Sequence, residues 1–382
     1  MILTRRGFFG LLGAPALLAQ TPHGREYFQL RGGLRNAWRR FSAGGAARVA
    51  FLGGSITQMG GWRDLFCQSL SARFPQAQFD FINAGIASTG STPGAFRLAR
   101  DVFSRGPVDL LFEEAAVNDS ANFFPPREQV RGMEGIVRHA RVLQPELDIV
   151  MLHFVDPEKM TDIRAGKTPA VIASHERVAA HYAVPSIDLA REVTERIDAG
   201  EFTWEGDFEN LHPSPFGMKI YARSIDRLFD AAWEPPIAGP VEPHPLPAPL
   251  DEKSYFRGRL AGIGEVQGWH IEPDWTPRDK VATRPGFVHV PMLVSETPRE
   301  ECRFRFEGTA VGIFVAAGPD AGTLEFRIDG APWRSQKLFT NWSKSLHIPW
   351  AYVLDGDLAP ARHELAMRVS TGTARVAHLL VN

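Results

Sequence analysis

The alternation of strand-like and helix-like segments between residues 47 and 233 constrains the fold more than any other feature of the sequence. Five short apolar runs have the composition of buried strands, and segments with helical spacing of apolar residues separate them. Near-continuous apolar strands that alternate with helices predict a parallel sheet covered on both faces. Right-handed crossovers then give a doubly wound, three-layer α/β/α sandwich. The predicted strands are residues 48–54, 79–84, 108–117, 147–154 and 184–189, and the predicted helices are residues 62–74, 93–104, 127–143, 168–182 and 216–232.

The pattern changes after residue 254, where apolar and polar residues alternate in short runs punctuated by glycine, proline and aspartate. Such runs are typical of an all-β sandwich or jelly roll. They comprise residues 287–294, 302–308, 310–318, 323–330, 363–370 and 374–382. The proline-rich stretch PPIAGPVEPHPLPAP (235–249) is predicted to be a linker or a segment laid over the surface. The predicted division is an α/β domain at 22–234, a linker at 235–253 and a β-sandwich domain at 254–382.

The N-terminal segment MILTRRGFFGLLGAPALLAQ (1–20) resembles a twin-arginine export signal. The paired Arg5 and Arg6 precede a short apolar stretch that ends in small residues, so residues 1–19 are predicted to be removed after Ala19. The apolar part is too short to span a membrane. An ordinary secretory leader or an uncleaved anchor is the alternative. We therefore expect a protein exported to the periplasm or the extracellular space.

The composition excludes several classes of partner. The net charge is −2, which gives no indication of a nucleic-acid partner or an anionic membrane surface. No apolar run is long enough for stable membrane insertion. Cys67 and Cys302 lie in different predicted domains and lack CxxC spacing, so we expect two free thiols and no cysteine metal site. The sequence leaves the oligomeric state open.

The stretch RVAFLGGSIT (48–57) carries the first chemical signal. A buried strand runs into two glycines and then Ser55, and a predicted helix follows within a few residues. Such a turn lies at the carboxyl end of a parallel strand, where open α/β folds bind ligands. A hydroxyl there lies close to helix amides that stabilise negative charge. The simpler alternative is a glycine-rich turn that only connects a strand to a helix.

Three further stretches lie at the same predicted edge of the sheet: Asn83–Gly85, Val117–Asp119 and the loop DFENLHPSPFG (207–217). Separately, they could be a turn glycine, a helix cap and a surface turn. Together they provide what acyl transfer requires, namely a nucleophile, a base and donors for an oxyanion. In this interpretation Ser55 is the nucleophile, His212 is the base, and the oxyanion hole comprises the amides of Ser55 and Gly85 and the side chain of Asn118.

The order GGSIT, NAG, VND and HP resembles the four sequence blocks of the SGNH (GDSL-like) hydrolase superfamily. The resemblance covers residues 45–233. It implies a flavodoxin-like α/β/α fold, ester hydrolysis and no requirement for a metal or other cofactor. Carried over block by block, it implies the same roles for Ser55, Gly85, Asn118 and His212.

Two positions depart from the pattern of that superfamily. An aspartate usually precedes the serine, and Gly54 stands there in this chain. The superfamily also has an aspartate three residues before the histidine, and this position is Glu209. The carboxylate orients the imidazole and stabilises its charged form. We take Glu209 for this role, with Asp207 or a backbone carbonyl as alternatives.

The C-terminal stretch GTAVGIFVAAGPDAGTLEFRIDG resembles the accessory β-sandwich of SGNH esterases that act on plant or microbial polysaccharides. The aromatic residues of this predicted domain could stack on sugar rings or belong to its core. They are Trp333, Trp342, Trp350 and Tyr352.

We therefore predict an exported serine esterase that removes short acyl groups, above all acetyl, from a polysaccharide or a smaller acylated substrate. The alternatives are a lipase or lysophospholipase of the same superfamily and a non-catalytic carbohydrate-binding surface protein with a decayed site.

Overall fold

A six-stranded sheet organises the N-terminal part of the protein. The computed structural model describes residues 27–237 and 239–382, so the predicted export signal lies outside the described residues. Five strands run parallel in the order β3-β2-β4-β5-β6, and the short β1 pairs antiparallel with β6 at one edge. This is the flavodoxin-like order, whose topological switch point lies between β2 and β4. The strands are β1 (Phe28–Gln29), β2 (Gly45–Gly53), β3 (Ala77–Gly85), β4 (Leu110–Glu114), β5 (Asp148–His153) and β6 (Ser186–Asp188).

Helices cover both faces of this sheet, as the continuous apolar strands predict. Val49 and Phe51 of β2 point into one core, whereas the alternate residues Ala50 and Leu52 point into the other. The first core includes residues of α1, α3, α9 and α10, and the second includes residues of α4, α6 and α8. The helices are α1 (Arg35–Ala43), α2 (Ser55–Gln58), α3 (Trp62–Arg73), α4 (Ser91–Leu98), α5 (Ala116–Ala121), α6 (Pro126–Leu143), α7 (Pro157–Arg164), α8 (Ala170–His181), α9 (Leu189–Asp198) and α10 (Pro215–Ala232).

The structure corrects the predicted elements at several places. The predicted strand 108–117 ends at Glu114, and the short helix α5 begins at Ala116. A buried apolar run does not distinguish strand from helix by its periodicity, which explains the error. Helices α1, α7 and α9 were not predicted. The sequence carries an N-cap residue for two of these helices, namely Asp156 for α7 and Asp188 for α9. Each aspartate accepts a hydrogen bond from the amide of the third helical residue.

The C-terminal part is an all-β sandwich, as predicted. The larger sheet has the order β8-β10-β17-β12-β15-β9, with β7 also paired to β17, and the smaller sheet has the order β11-β16-β13-β14. In β11, Cys302, Phe304 and Phe306 point into the core between the sheets, whereas Arg303 and Arg305 point to solvent. The strands are β7 (Arg259–Ala261), β8 (His270–Trp275), β9 (Ala282–Thr283), β10 (Val290–Ser295), β11 (Glu301–Gly308), β12 (Val311–Ala317), β13 (Thr323–Ile328), β14 (Arg334–Lys337), β15 (Leu346–Asp355), β16 (Ala361–Thr371) and β17 (Ala374–Val381).

The two parts share an apolar core. Phe314 and Ala351 of the larger sheet belong to the same buried cluster as Ala95 and Phe96 of α4. At the edge of this interface, the guanidinium of Arg131 on α6 pairs with Asp251 at 2.8 Å and with Asp357 at 2.7 Å. The β-sandwich is therefore packed directly onto the α/β unit rather than tethered beside it.

The proline-rich segment lies along the surface of the α/β unit. The described part of residues 235–249 contains no helix or strand. The amide of His244 donates to the carbonyl of Pro145 at 2.8 Å, and the side chain of His181 bonds the carbonyl of Ala248 at 2.7 Å. Of the two interpretations of this segment, the structure favours the one in which it lies over the surface.

Candidate active site

Ser55 and His212 meet at the carboxyl edge of the parallel sheet. Ser55 is the first residue of α2 and follows β2 after the single residue Gly54. His212 lies in the loop before α10. Ser55 Oγ and His212 Nε2 are 2.7 Å apart, which is hydrogen-bond distance. Two side chains 157 positions apart in the chain thus have the hydrogen-bond contact that a nucleophile and its base require.

The loop that carries His212 is held by hydrogen bonds at both ends of its turn. The amide of His212 donates to Asn210 Oδ1 at 2.8 Å. The amide of Ser214 donates to the carbonyl of the buried Phe208 at 3.0 Å, and Ser214 Oγ accepts from the amide of Gly217 to cap α10. The histidine therefore projects from a fixed turn between a buried aromatic residue and a helix start.

The two glycines before Ser55 make room for side chains from the neighbouring β4–α5 connection. A Cβ atom at Gly53 would lie 2.7 Å from Glu114 Cγ, and a Cβ atom at Gly54 would overlap Asn118 Oδ1. The absence of the usual aspartate at position 54 therefore has a structural reason. Any side chain there would displace Asn118.

Asn118 lies in the short helix α5, not at the end of a strand as the sequence had suggested. Its side chain makes no hydrogen bond within the part of the chain that the structure describes, and its Oδ1 lies against Gly54. The next residue, Asp119, is fully buried and accepts hydrogen bonds from the amide of Ser91 at 2.8 Å and from His175 at 2.9 Å. Asp119 thereby anchors α5 to α4 and α8, which fixes Asn118 beside the serine.

Gly85 lies close to α2, but its amide is used elsewhere. A Cβ atom at Gly85 would overlap the backbone nitrogen of Gln58, so this close approach requires glycine. The amide of Gly85 donates to Asn83 Oδ1 at 3.0 Å. In this arrangement Gly85 allows the end of β3 to contact α2, and its N–H group is bonded to the side chain of Asn83.

Ser88 is a residue that the sequence analysis missed. It has a φ of 72°, an uncommon left-handed conformation for a residue other than glycine. The carbonyl of Ser88 accepts from Asn122 Nδ2 at 3.1 Å, and the preceding amide of Ala87 donates to Gln58 Oε1 on α2 at 3.1 Å. Among the described residues, no acceptor bonds the amide of Ser88. No local sequence signal marks this position.

Neither candidate carboxylate contacts the imidazole of His212. Glu209 is exposed, has a φ of 77° and forms no side-chain hydrogen bond within the described ranges. Asp207 instead accepts from the amide of Thr203 at 2.8 Å and from its hydroxyl at 2.9 Å, and these bonds lower the pKa of Asp207. The structure thus brings Ser55 and His212 together but leaves Glu209 and Asp207 apart from them.

Two charged residues that were not predicted act on the site. Partial burial lowers the pKa of His212, and the positive charge of Arg284 lowers it further. Arg284 follows β9, so this charge comes from the β-sandwich. Glu114 lies beneath the turn, where its Oε1 accepts from the amide of Gly54 at 2.6 Å. Burial raises the pKa of Glu114 to about 7.

The aromatic residues of the β-sandwich have different environments. Trp342 is 51% exposed, whereas Trp350 is buried and Trp333 lies under the guanidinium groups of Arg327 and Arg368. A recess between the two parts of the protein is lined by Trp350 and Tyr352 on one side and by residues around α5 and α6 on the other. Its lining includes Thr92, Asn122, Phe124, Arg127, Trp350 and Tyr352.

The described residues contain no group of three or more histidine, cysteine, aspartate or glutamate side chains that could hold a metal ion. Both cysteines are free thiols, and Cys302 is buried. None of the described helices is long and apolar enough to cross a membrane.

Comparisons with known proteins agree with this geometry. Residues 51–220 match the GDSL-like Lipase/Acylhydrolase family. A solved two-domain esterase active on acetylated mannans is 21% identical, covers 93% of this chain and 98% of its own, and superposes with a TM-score of 0.74. A second structure of that description, co-crystallised with mannopentaose, has the same identity and coverage and a TM-score of 0.72.

A further similarity covers about half of the chain. An acetyl xylan esterase from Geobacillus stearothermophilus is 18% identical, covers 49% of this chain and 95% of its own, and has a TM-score of 0.40. A search of the curated proteins found no match. The family match and the two-unit fold confirm the resemblance found in the sequence. Residues 51–220 therefore form a GDSL-like lipase/acylhydrolase domain, and the protein is a carboxylic-ester hydrolase with a C-terminal β-sandwich.

Proposed function

We propose that this protein is an exported serine esterase that removes acetyl groups from a carbohydrate. The observation that carries the proposal is the 2.7 Å contact between Ser55 Oγ and His212 Nε2 at the carboxyl edge of the sheet. Export rests on the paired arginines and the short apolar stretch of residues 1–20. The site requires no metal, because the hydroxyl and the imidazole supply the nucleophile and the base.

The chemistry follows from the positions of these two side chains. Ser55 Oγ attacks the ester carbonyl while His212 Nε2 takes the hydroxyl proton. His212 then gives this proton to the departing sugar oxygen, which leaves an acyl group on Ser55. A water molecule, deprotonated by His212, attacks the acyl group and releases the acid. Because His212 must be neutral to act as a base, its lowered pKa keeps it competent in mildly acidic solution.

The oxyanion of each tetrahedral intermediate requires donors close to Ser55. The amide of Ser55 is available because the first amides of a helix have no partner within it. The side-chain amide of Asn118 is a second donor. For the third donor we favour the amide of Ser88 over that of Gly85, since the Gly85 amide already donates to Asn83.

A carbohydrate is the substrate class that the surroundings favour. The recess between the two units combines aromatic side chains with charged and polar groups, as sugar-binding sites do. Asn122 lines this recess and also holds the carbonyl of Ser88, so the recess adjoins the proposed oxyanion hole. The similar two-domain esterase acts on acetylated mannans, and this likeness extends over both units.

The charged lining argues against the lipase alternative. A long acyl chain requires an apolar groove, whereas Arg127, Arg131 and Arg334 line the recess together with Asp355 and Asp357. The decayed-site alternative predicts that Ser55 is unreactive. Covalent labelling of Ser55 by a fluorophosphonate would contradict that alternative, because the reaction requires an activated nucleophile.

The test compares the wild type with Ser55→Ala. We expect the wild type to release acetate from p-nitrophenyl acetate and from at least one of acetylated mannan, xylan and pectin, and the variant to release none. Circular dichroism and the melting temperature check that the variant is folded. A folded wild type that releases no acetate from any of these substrates would refute the proposal.

A further inference from the structure

We propose that Glu114 is a positioning residue whose carboxylate, reaching from β4 beneath the nucleophile turn, holds Ser55 against His212. The proposal rests on the proposed esterase function and deepens it. It assigns a role to a buried acidic side chain that does not itself touch the substrate.

The carboxylate of Glu114 contacts the turn on both sides of the serine. Its Oε1 accepts from the amide of Gly54 at 2.6 Å and from the hydroxyl of Thr57 at 3.3 Å. Gly54 immediately precedes Ser55, and Thr57 lies two residues after it in α2. One oxygen atom therefore fixes the backbone that leads into the serine and the helix that leads away from it.

The glycine pair of the sequence is explained by this carboxylate. A Cβ atom at Gly53 would lie 2.7 Å from both Cγ and Oε1 of Glu114, and a Cβ atom at Gly54 would lie 3.3 Å from Oε1. A side chain at Gly53 would collide with Glu114, and a side chain at Gly54 would crowd Oε1 in addition to displacing Asn118.

A purely structural role would not require an acid at this place. Glu114 is 2% exposed, and its Oε2 is buried with no hydrogen-bond partner in the described parts of the chain. Burial of an incompletely paired carboxyl group costs free energy that an apolar side chain would avoid. This cost is offset if the hydrogen bonds to Oε1 of Glu114 hold Ser55 in a better position for attack.

The charge of Glu114 depends on groups from several elements. Burial raises its pKa to about 7, the bonds from Gly54 and Thr57 and the charge of Lys159 on α7 oppose this rise, and Asp119 on α5 adds to it. The charge of Glu114 in turn acts on Tyr221 of α10 and on the preceding residue Glu113, whose side chain points to the opposite face of the sheet. Glu114 therefore changes its charge near neutral pH.

Ionisation of Glu114 should tighten the turn. A hydrogen bond to a carboxylate is stronger than one to a neutral carboxyl group, so the Gly54 amide is held more firmly above pH 7. Two ionisations should then raise the activity with pH: that of His212, whose pKa lies below its usual value, and that of Glu114 near 7. The ionisation near pH 7 is what distinguishes a positioning role of Glu114 from a purely structural one.

The test measures kcat and KM for p-nitrophenyl acetate between pH 5 and 9 in the wild type, Glu114→Gln and Glu113→Gln. We expect Glu114→Gln to lose the ionisation near pH 7 and to lower kcat about tenfold at pH 8, because a neutral acceptor replaces a charged one. KM should stay within about twofold, because Glu114 does not touch the substrate. The matched control Glu113→Gln alters an equally buried acid on the same strand and should keep both ionisations.

A second readout does not depend on turnover. In protein labelled with ¹⁵N-glycine, the Gly54 amide resonance should shift with a midpoint near pH 7 in the wild type and should not titrate in Glu114→Gln. If the wild type hydrolyses the ester and Glu114→Gln keeps both ionisations with an unchanged kcat, the proposal is overturned. If the wild type hydrolyses no ester, the esterase function fails, and the Gly54 titration alone decides whether Glu114 holds the turn.

Discussion

At the scale of single residues, the site depends on where side chains are absent. Gly53 and Gly54 admit Glu114 and Asn118 to the space beneath and beside the serine, and Gly85 lets the end of β3 contact α2. Ser88, by contrast, adopts a left-handed backbone that glycine would adopt more easily. The close approach of backbone and side chains around Ser55 is thus achieved by small residues and one strained residue.

Restoring the aspartate that usually precedes the serine should harm the enzyme. In Gly54→Asp, the new Cβ atom would overlap Asn118 Oδ1 and displace Asn118, which we propose as an oxyanion donor. Loss of one such donor costs about 100- to 1000-fold in kcat, so we expect a reduction of at least about 100-fold in p-nitrophenyl acetate hydrolysis. Gly264→Ala is the control, since no atom lies within 4 Å of a Cβ atom placed there. Activity of Gly54→Asp close to that of the wild type would contradict the described approach of Asn118.

At the scale of elements, the strand ends decide which residues meet. The run 108–117 continues as a strand only to Glu114, because β4 pairs with β5 up to that residue and the chain then turns into α5. This turn carries Asn118 to the serine and buries Asp119 against α4 and α8. Similarly, Arg97 of α4 donates to the carbonyls of Gly53 and Ala84 and so joins the ends of β2 and β3.

The prediction at the scale of elements concerns Glu209 in the loop before α10. Because Glu209 does not contact His212 and is exposed, we expect Glu209→Gln to keep kcat within about threefold of the wild type. Removal of an orienting aspartate from a serine–histidine–aspartate triad costs about 10⁴-fold, so the two cases are easy to separate. The measurement is kcat at pH 8, with Asp207→Asn as a second variant. A loss of 1000-fold in Glu209→Gln would instead place Glu209 on His212 during the reaction.

At the scale of the whole molecule, the β-sandwich forms part of the site. Its larger sheet shares a buried core with α4 and α6, which fixes the position of the loop after β9. Arg284 in that loop acts on the pKa of His212. The recess lined by Trp350 and Tyr352 also requires both parts of the protein. The contribution of Arg284 to the pKa of His212 and this recess would both be absent from the α/β unit alone.

Removal of the positive charge at Arg284 should change the pH profile in a defined direction. This charge disfavours protonated His212, so its loss in Arg284→Gln raises the pKa of His212 towards its usual value. The base must be neutral, and therefore the acidic limb of kcat/KM should move to higher pH by ~0.5 unit. Arg278→Gln, which alters an exposed arginine of the same unit paired with Glu272 and Glu296, should leave the limb in place. If the acidic limb of Arg284→Gln moved to lower pH or did not move, the electrostatic effect of Arg284 on His212 would be refuted.

The sequence alone was sufficient for the fold class and the family resemblance, and it predicted that Ser55 and His212 lie at the same edge of the sheet. Buried strands and amphipathic helices are encoded by local apolar patterns, and the four blocks occupy strand and loop ends that a parallel sheet must gather at one edge. The tertiary structure decided which groups around this pair have the right geometry. It left Glu209 apart from the imidazole, directed the Gly85 amide to Asn83, and brought Glu114 and Arg284 to the site. These contacts depend on where strands end and how two units pack, and such long-range geometry leaves no periodic trace in the sequence.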